Sequence, residues 1–501
     1  MDEFAQSLDA VLRSRLKGFE ALVSVERLSG GASQETYRLM AQINGQVQPL
    51  ALRRAAGGEV GIPEGKPGLA VEAKLMRVAK AAGVPEPEVY LVLEPDDGLG
   101  DGFVMEWLEG ETLGARIIRS PELAEIRPRL AYQCGQILAA IHAIDPVATG
   151  LAPHLQTLTT EDFVRNMWTQ YRELATPQPM IDFTARWLLD HRPPEAEHRL
   201  VHNDFRNGNL MITAQGVIGV LDWEVCHLGD PMRDLGWICT NSWRFGQRQL
   251  PVGGFGHYDD LLAGYAAVSG HQVDREHVRF WEVFGSFWWA IGCLKMADHF
   301  RHGPDPSVER PGIGRRSSEC QVDCVNLLIP GPVELIQPVA TFSPTAPYSS
   351  TAEHSSTAQH SSTAEHSSTA EYSSTDMPAV DELVVSVRDF LRAEVMPATQ
   401  GRTSFMARVA SNSLDIVLRE LAVGPTHLVN ERSRLQALLG STGSTDDILA
   451  LRWALADAVF DGSMPLDRAD LARHLRTTVV NQAGIDQPSY SGYLAAVDYR
   501  D

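Results

Sequence analysis

The sequence predicts an α+β fold of two lobes, a small antiparallel sheet followed by a mostly helical lobe, with a separate all-α domain after them. Three observations carry this. Short β-patterned runs separated by turn residues fill the chain up to Leu108. Amphipathic helical patterns dominate from there to Leu328. A repeat with no apolar face then isolates a second helical stretch that begins near Asp376.

Residues 3–16 place Phe4, Leu8, Val11, Leu12 and Leu16 on one face of a lead-in helix. The run VSVERLSGGASQETYRLMAQI reads as strand, turn and strand around Ser29-Gly30-Gly31-Ala32-Ser33. Glycines there let backbone N–H groups come close to a phosphate, so Gly30, Gly31 and Ser33 are candidate nucleotide contacts, although the same pattern suits an ordinary hairpin. A strand follows at Pro49 to Arg54, then a helix at Leu69 to Ala82 carrying Glu72, and a strand at Val89 to Leu93. Gly102 to Gly110 is an apolar strand running into a connection that holds Glu106 and Leu108. The helix expected over Leu123 to Ala143 keeps Leu130, Cys134, Ile137, Leu138 and Ile141 on one face, and His142 reads as a cation at its C-terminal end.

The most distinctive stretch is Leu200 to Asp234, LVHNDFRNGNLMITAQGVIGVLDWEVCHLGDPMRD. Leu200 and Val201 end a strand, Leu210 to Thr213 and Val217 to Leu221 form a hairpin, and the polar residues stand at the strand ends. Asp204, Asn209 and Asp222 can therefore converge on one small volume. Mg²⁺ binds a few oxygen ligands together with phosphate oxygens and water, which Asn209 and Asp222 can supply. Asp204 remains to take a proton from an attacking hydroxyl, the division of labour that phosphoryl transfer requires.

Taken together, His202-Asn203-Asp204, Asn209, Asp222-Trp223-Glu224, Gly229-Asp230-Pro231 and Asp234-Leu235 resemble the motifs of the aminoglycoside phosphotransferase-like branch of the protein-kinase superfamily. The resemblance covers about residues 20–330 and implies a bilobal kinase-like fold using ATP and Mg²⁺. Asp204 is then the base, Asn209 and Asp222 hold the metal, and Asp230 or Asp234 braces the loop. Asn203 departs from the commoner glycine, and Asn is the next-best residue where φ is positive. Arg206 stands where protein kinases carry a lysine facing the transferred phosphoryl group; it is equally a solvated loop arginine. Arg53 takes the place of the usual phosphate-binding lysine, with Glu72 as its orienting partner. The resemblance also makes Glu106 to Leu108 the hinge whose backbone meets adenine. Leu52-Arg53-Arg54, His227 to Pro231 and Arg315-Arg316 are similar to the branch associated with acyl-CoA dehydrogenases, which implies a hydroxyacyl-CoA acceptor. An aminoglycoside or choline-like acceptor is the alternative, and a non-catalytic nucleotide-binding scaffold is a third reading favoured by the Lys-to-Arg departure.

Composition narrows the classes. At 501 residues the chain exceeds a single core, and 44% hydrophobic with 21% charged residues is globular usage. A net charge of −21 argues against nucleic acid as partner. The most apolar run, Val283 to Leu294, is too short and glycine-interrupted for a membrane span. The acidic start lacks signal-peptide order, and six scattered cysteines read as reduced thiols, so a cytoplasmic location is expected.

The expected organisation is a kinase-like domain over 1–330, with its N-lobe at about 20–108 and C-lobe at 109–330, a linker at 331–375 and a helical domain at 376–490. The linker is proline-rich and then contains four copies of Ser-Ser-Thr-Ala-Glu/Gln-His/Tyr over 349–372, a composition that forms no core. Stripes such as Val380, Leu383, Val387, Phe390 and Leu471, Leu475, Val479 make the last domain helical, without a catalytic constellation. It is similar to a small helical domain of unassigned function found beside kinases of this branch, expected to pack on the kinase domain in cis or in a homodimer.

Overall fold

The computed structural model describes residues 3–28, 34–58, 67–338, 377–443 and 445–499. By packing, the chain divides into two compact units, Met1–Thr176 with Ile181–Ile291 and Tyr490–Gly492, and Pro177–Met180 with Gly292–Ser489 and Tyr493–Asp501. The boundary after Ile291 falls earlier than the composition-based end at 330. The greater part of the expected linker lies outside the described residues.

In the first unit, α1 (Glu3–Arg15) precedes β1 (Phe19–Arg27), β2 (Gln34–Ile43) and β3 (Gln46–Ala55). These are followed by α2 (Leu69–Ala81), β4 (Val89–Val92) and β5 (Gly102–Glu106). The strands make one antiparallel sheet in the order β1-β2-β3-β5-β4. Burial alternates strictly along β2, as a strand with one covered face requires. Leu8 and Leu12 of α1 join Leu39, Leu50 and Leu52 in one core, and Leu75, Met76 and Ala79 of α2 join Phe103 and Val89 in another. Lying between β2 and β5, β3 holds Arg53 in the interior of the sheet.

The helical lobe begins with α3 (Gly114–Arg119) and α4 (Leu130–His142). Tight turns at Pro121–Leu123 and Arg127–Arg129 precede α4, which begins later than the expected Leu123 because Pro128 cannot donate within a continuous α-helix. Next come α5 (Thr160–Glu173), α6 (Pro179–Asp190), β6 (Arg199–Val201), β7 (Leu210–Thr213), β8 (Gly216–Val220) and β9 (His227–Gly229). β6 pairs with β9 and β7 with β8, both antiparallel. Then α7 (Met232–Cys239), α8 (Tyr258–Ser269) and α9 (Arg275–His302) follow. α4 and α8 meet at two glycines. A Cβ on Gly135 would stand 2.1 Å from the Leu261 carbonyl oxygen, and one on Gly264 would stand 2.0 Å from that of Tyr132, so only glycine allows this approach.

The second unit takes in α10 (Glu309–Arg315) and α11 (Ser317–Leu328), then α12 (Val380–Phe390), a π-helical turn at Leu391–Val395 and α13 (Met396–Ala398). α14 (Gly401–Leu439), α15 (Ile448–Phe460), α16 (Ala469–Asp486) and α17 (Ser491–Val497) complete the chain. α14 packs against α12, α15 and α16, and α11 also packs on α16. Over 401–439 the chain is one 39-residue helix that tolerates Pro425 in its interior. No described helix is long and apolar enough to cross a membrane. All six cysteines are buried thiols.

Glu86, just before β4, lies at the base of the sheet lobe, where the indole Nε1 of Trp223 donates to its Oε1 over 3.1 Å. Burial raises this carboxyl well above its ordinary 4.5. The fold therefore accepts the neutral acid, and this contribution to stability is full below pH 4.5 and is lost as pH rises toward the folded pKa, by at most about 1.4 kcal/mol per pH unit. Glu86→Gln keeps an acceptor for Trp223 and removes the titration. Melting temperature measured from pH 5 to 8 is expected to fall less steeply in Glu86→Gln than in the native protein, and equal slopes would refute the assignment.

Candidate active site

The loop after β6 is shaped from beneath by one buried carboxylate. Asp234, in the first turn of α7, accepts the backbone N–H of Asn203 at 2.7 Å and that of His202 at 2.8 Å, and His142 Nε2 lies 3.1 Å from it. Burial pushes the Asp234 pKa up, but its hydrogen bonds and the neighbouring histidines outweigh this and hold it below the usual carboxylate value. Asp230 faces elsewhere, accepting Trp281 Nε1 at 2.9 Å and lying 2.5 Å from His277 Nε2 on α9. Asp234, of the two candidates, thus underlies the loop. His142, the last residue of α4, is buried, and its ring bridges Asp234 and the Tyr265 hydroxyl.

Asn203 sits at φ 68°, the left-handed region anticipated for this position. Its side chain is also used, with Oδ1 accepting from Arg233 Nε at 3.0 Å and Nδ2 donating to the Val225 carbonyl at 3.2 Å. Arg233 is wholly buried, its guanidinium 4.7 Å from the ring of Trp237, 5.0 Å from Trp288 and 5.2 Å from Phe284. Burial lowers its pKa to about 9 against the pull of Asp234 and Asp204, which still leaves it charged at neutral pH.

This support presents Asp204. Its Oδ1 accepts from Trp237 Nε1 at 2.8 Å and Arg206 Nε at 3.0 Å, and its Oδ2 from Asn209 Nδ2 at 2.6 Å. Asn209 spends its amide N–H groups on the Asp204 side chain and carbonyl, so its own Oδ1 is the acceptor left over. The backbone N–H of Leu221 donates to the Asn209 carbonyl at 2.8 Å, which brings Asp222 beside Asn209. Asp222 is the second non-glycine residue of the site with positive φ, at 71°. Arg206 lies against Asp204 and over the Trp243 ring, 4.3 Å from its centroid, so it is a docked side chain and not a solvated one.

Arg53 joins the lobes. Its Nη2 is 2.5 Å from Asp222 Oδ1, and its Nε is 3.2 Å from Glu72 Oε1 and also donates to Gln34 Oε1. Gln34 in turn donates to Glu224 Oε2 at 3.3 Å. Glu72 is charge-paired with Arg53 yet lacks a well-aligned hydrogen bond from a side chain. Burial, helped by Asp222 and Glu224, lifts its pKa to about 7 despite Arg53. Several carboxylates around one guanidinium are the electrostatic condition that a divalent cation relieves, and the Asn209 oxygen beside Asp222 is a hard-ligand pair of the kind Mg²⁺ takes. Among the described residues no three His, Cys, Asp or Glu side chains are grouped to hold a metal alone, so phosphate oxygens and water would complete the shell.

Glu106 ends β5, and its side chain caps the Glu88 N–H at 3.1 Å. Leu108 lies over β8, where a Cβ on Gly219 would come within 2.7 Å of its Cδ1. A bridge between Glu111 and Ile212 ties this connection to the hairpin bearing Asn209. Gly30, Gly31 and Ser33 lie outside the described residues. Sequence reasoning did not find Trp237, Arg233, Gln34 or Glu86. The tryptophan and the two Glu/Gln residues carry no spacing signal, and Arg233 is an arginine in a class of residue normally left at the surface.

The sequence pattern of the phosphotransferase enzyme family matches residues 24–271, and that of a domain of unknown function, DUF6285, matches 397–490. Acyl-CoA dehydrogenase family member 10 of Mus musculus is 32% identical over 180 residues, covering 34% of this chain and 16% of the relative. Acyl-CoA dehydrogenase family member 11 of Gallus gallus is 27% identical over 306 residues, covering 56% and 38%. The chain thus spans well under half the length of these relatives. A candidate aminoglycoside phosphotransferase from Ralstonia eutropha shares the fold, with a TM-score of 0.51 at 24% identity over 63% of this chain and 95% of that one. The matched region contains the Asp204 loop, the β7–β8 hairpin and the Arg53 strand, and the chain therefore carries a domain of the phosphotransferase enzyme family followed by a DUF6285 domain.

Proposed function

We propose that this protein transfers the γ-phosphoryl group of ATP to the hydroxyl of a small molecule, and that the acceptor is a hydroxyacyl-CoA in hydroxy or fatty acid catabolism. The observation that carries the reaction class is the carboxylate of Asp204, fixed by Trp237 and Asn209 next to the Arg53–Asp222–Glu72 group. The acceptor class is supported by the names of the relatives, which are acyl-CoA dehydrogenase family members.

In this reading Asp204 orients the acceptor hydroxyl and takes its proton as the new O–P bond forms, while the bond to the ADP oxygen breaks and that oxygen leaves with the electron pair. Arg53, oriented by Glu72 and Gln34, turns its planar fork to the nonreacting phosphates. Arg206, already beside Asp204, offers its guanidinium to the charge on the transferred group. Asn209 and Asp222 would hold Mg²⁺, which when bound neutralises the phosphate oxygens. Glu106 to Leu108 receive the adenine, and Gly30, Gly31 and Ser33 are assigned to the phosphates on their sequence pattern alone. Trp237 is a positioning residue, acting through Asp204.

Phosphorylation of an acyl-chain hydroxyl converts it into a leaving group, which suits a following elimination. The test is Mg²⁺-dependent ADP release with hydroxyacyl-CoAs, aminoglycosides and choline as acceptors. Asp204→Asn is expected to lower kcat with the hydroxyacyl-CoA by about 10²- to 10⁴-fold. ATP binding without turnover on any acceptor would replace the reading with a nucleotide-binding scaffold, and turnover on an aminoglycoside or choline alone would replace the acceptor.

Trp237→Phe keeps an aromatic ring and removes the donor to Asp204. Loss of a hydrogen bond to a charged group is worth roughly 1.5 kcal/mol or more, so kcat should drop about tenfold with the KM for ATP little changed, while the smaller ring in the core also lowers the melting temperature. An unaltered kcat would show that Trp237 serves packing alone.

A further inference from the structure

Independently of the phosphoryl-transfer reading, we propose that the second unit carries a binding site for a single-chain amphiphile, with its aliphatic tail in a groove along α14 and its anionic head at Arg315. Two spaces meet there. The groove, about 660 Å³, runs between the end of α9, α10, α12 and the middle of α14, and is lined by Phe300, Val308, Val387, Leu391, Leu414 and Val417. A chamber of about 260 Å³ with mixed walls adjoins it, where Gln321, Glu431, Arg452, His474 and Asp486 stand among apolar side chains. Arg315 and Glu420 border both.

The groove leaves large apolar side chains in water, with Val387 51% exposed, Phe300 42% and Val417 41%. Covering such a patch returns roughly 25 cal/mol per Å², and contiguous apolar surface of this kind marks a binding site. The chamber carries a second and independent sign. His474 is 3% exposed, and its Nδ1 has no hydrogen-bond partner. Burial keeps that ring neutral, with its pKa lowered to about 4. Glu431 by contrast is satisfied by Arg452 through contacts of 2.7 and 2.6 Å. A buried polar atom left unpaired on a residue that lines a cavity is a place for a ligand group or for the water that a ligand head brings.

The arrangement of charge selects the occupant. Arg315 Nε is 2.7 Å from Asp486 Oδ1, and its Nη2 donates to Glu420 Oε2. Asp486 is buried and stays, but the Glu420 side chain is 41% exposed and can swing into water at small cost. The anionic head of a ligand then takes its place on the guanidinium. The walls hold Arg315 and Arg452 against Glu420, Glu431 and Asp486, and with Arg452 held by Glu431, Arg315 is the guanidinium that a ligand head reaches once Glu420 leaves. A flat helical face from a second copy of the chain would cover the groove but leave the chamber and His474 unfilled. An aliphatic tail with polar groups at one end fills both, in the manner of apolar sites with a few convergent polar groups.

The test uses the full chain, titrated by calorimetry with dodecanoate, dodecanol, dodecyltrimethylammonium and dodecanoyl-CoA below their micelle-forming concentrations. Dodecanoate is expected to bind saturably at one site. Ala410→Trp, which fills the groove, should weaken it at least tenfold, and Ser413→Phe serves the same purpose if the first variant does not fold. Glu420→Gln removes the competing carboxylate and should tighten dodecanoate severalfold while leaving dodecanol unchanged. Equal or tighter binding of dodecanoyl-CoA would identify a thioester as the source of the tail, and weaker binding a free acid. The proposal is overturned if no saturable binding occurs, if folded Ala410→Trp binds as the native protein does, if dodecyltrimethylammonium matches dodecanoate, or if Ala410→Trp instead dissociates a dimer.

Discussion

The geometry of the candidate site depends on the Asp234 carboxylate, which is shut off from water and spent entirely on holding two backbone N–H groups and a histidine. A buried charge is tolerated only with complete hydrogen bonding, and each charge-assisted bond contributes about 1.5–3 kcal/mol. Those bonds offset the positive φ of Asn203 and so fix the direction in which Asp204 leaves the loop. Arg233 closes the arrangement from the other side, with its charge shared between the Asn203 amide and a box of aromatic rings. The loop is rigid because its supports are buried ions, which have few alternative positions once water is excluded.

Above the loop the balance is different. Arg53 serves Glu72, Asp222 and Gln34 at once, so the cation that spans the lobes is shared and its partners are incompletely neutralised. Burial first, and the nearby Asp222 and Glu224 after it, lift the Glu72 pKa to about 7 against the pull of Arg53. The upper half of the site is thus electrostatically poised for further positive charge, while the lower half is complete in itself. That asymmetry is suited to a centre whose base is preformed and whose phosphate-handling groups adjust when nucleotide and metal arrive.

Much of this was legible in the sequence because the residues concerned are polar, close together and set at strand ends. Asp204, Asn209 and Asp222 lie within nineteen positions of one another, and the hairpin between them has both strand patterning and a turn. Asn203 could even be assigned its backbone conformation, since few residue types accept positive φ. What escaped was set by tertiary contact. Trp237 looks like core from its neighbours, and it is core; only the fold reveals that its one polar atom points at Asp204. His142 lies sixty residues before the loop, with no local sign that its ring meets Asp234. The start of α4 falls later than the expected Leu123 because the hydrophobic period continues through Pro128 while the helical hydrogen bonding does not. The packing boundary inside α9 has no compositional mark at all.

The six cysteines, unremarkable as core residues, give the protein an internal gauge of its own integrity. Each thiol is enclosed, and burial raises the pKa of Cys134, Cys226, Cys239 and Cys320, so little reactive thiolate is present while the chain is folded. Three of the six, Cys134, Cys226 and Cys239, belong to the first unit, and Cys293, Cys320 and Cys324 belong to the second. An alkylating reagent therefore meets either trio only when that unit opens. Mass spectrometry of the modified peptides would time the opening of each half separately, with no label introduced and no residue changed.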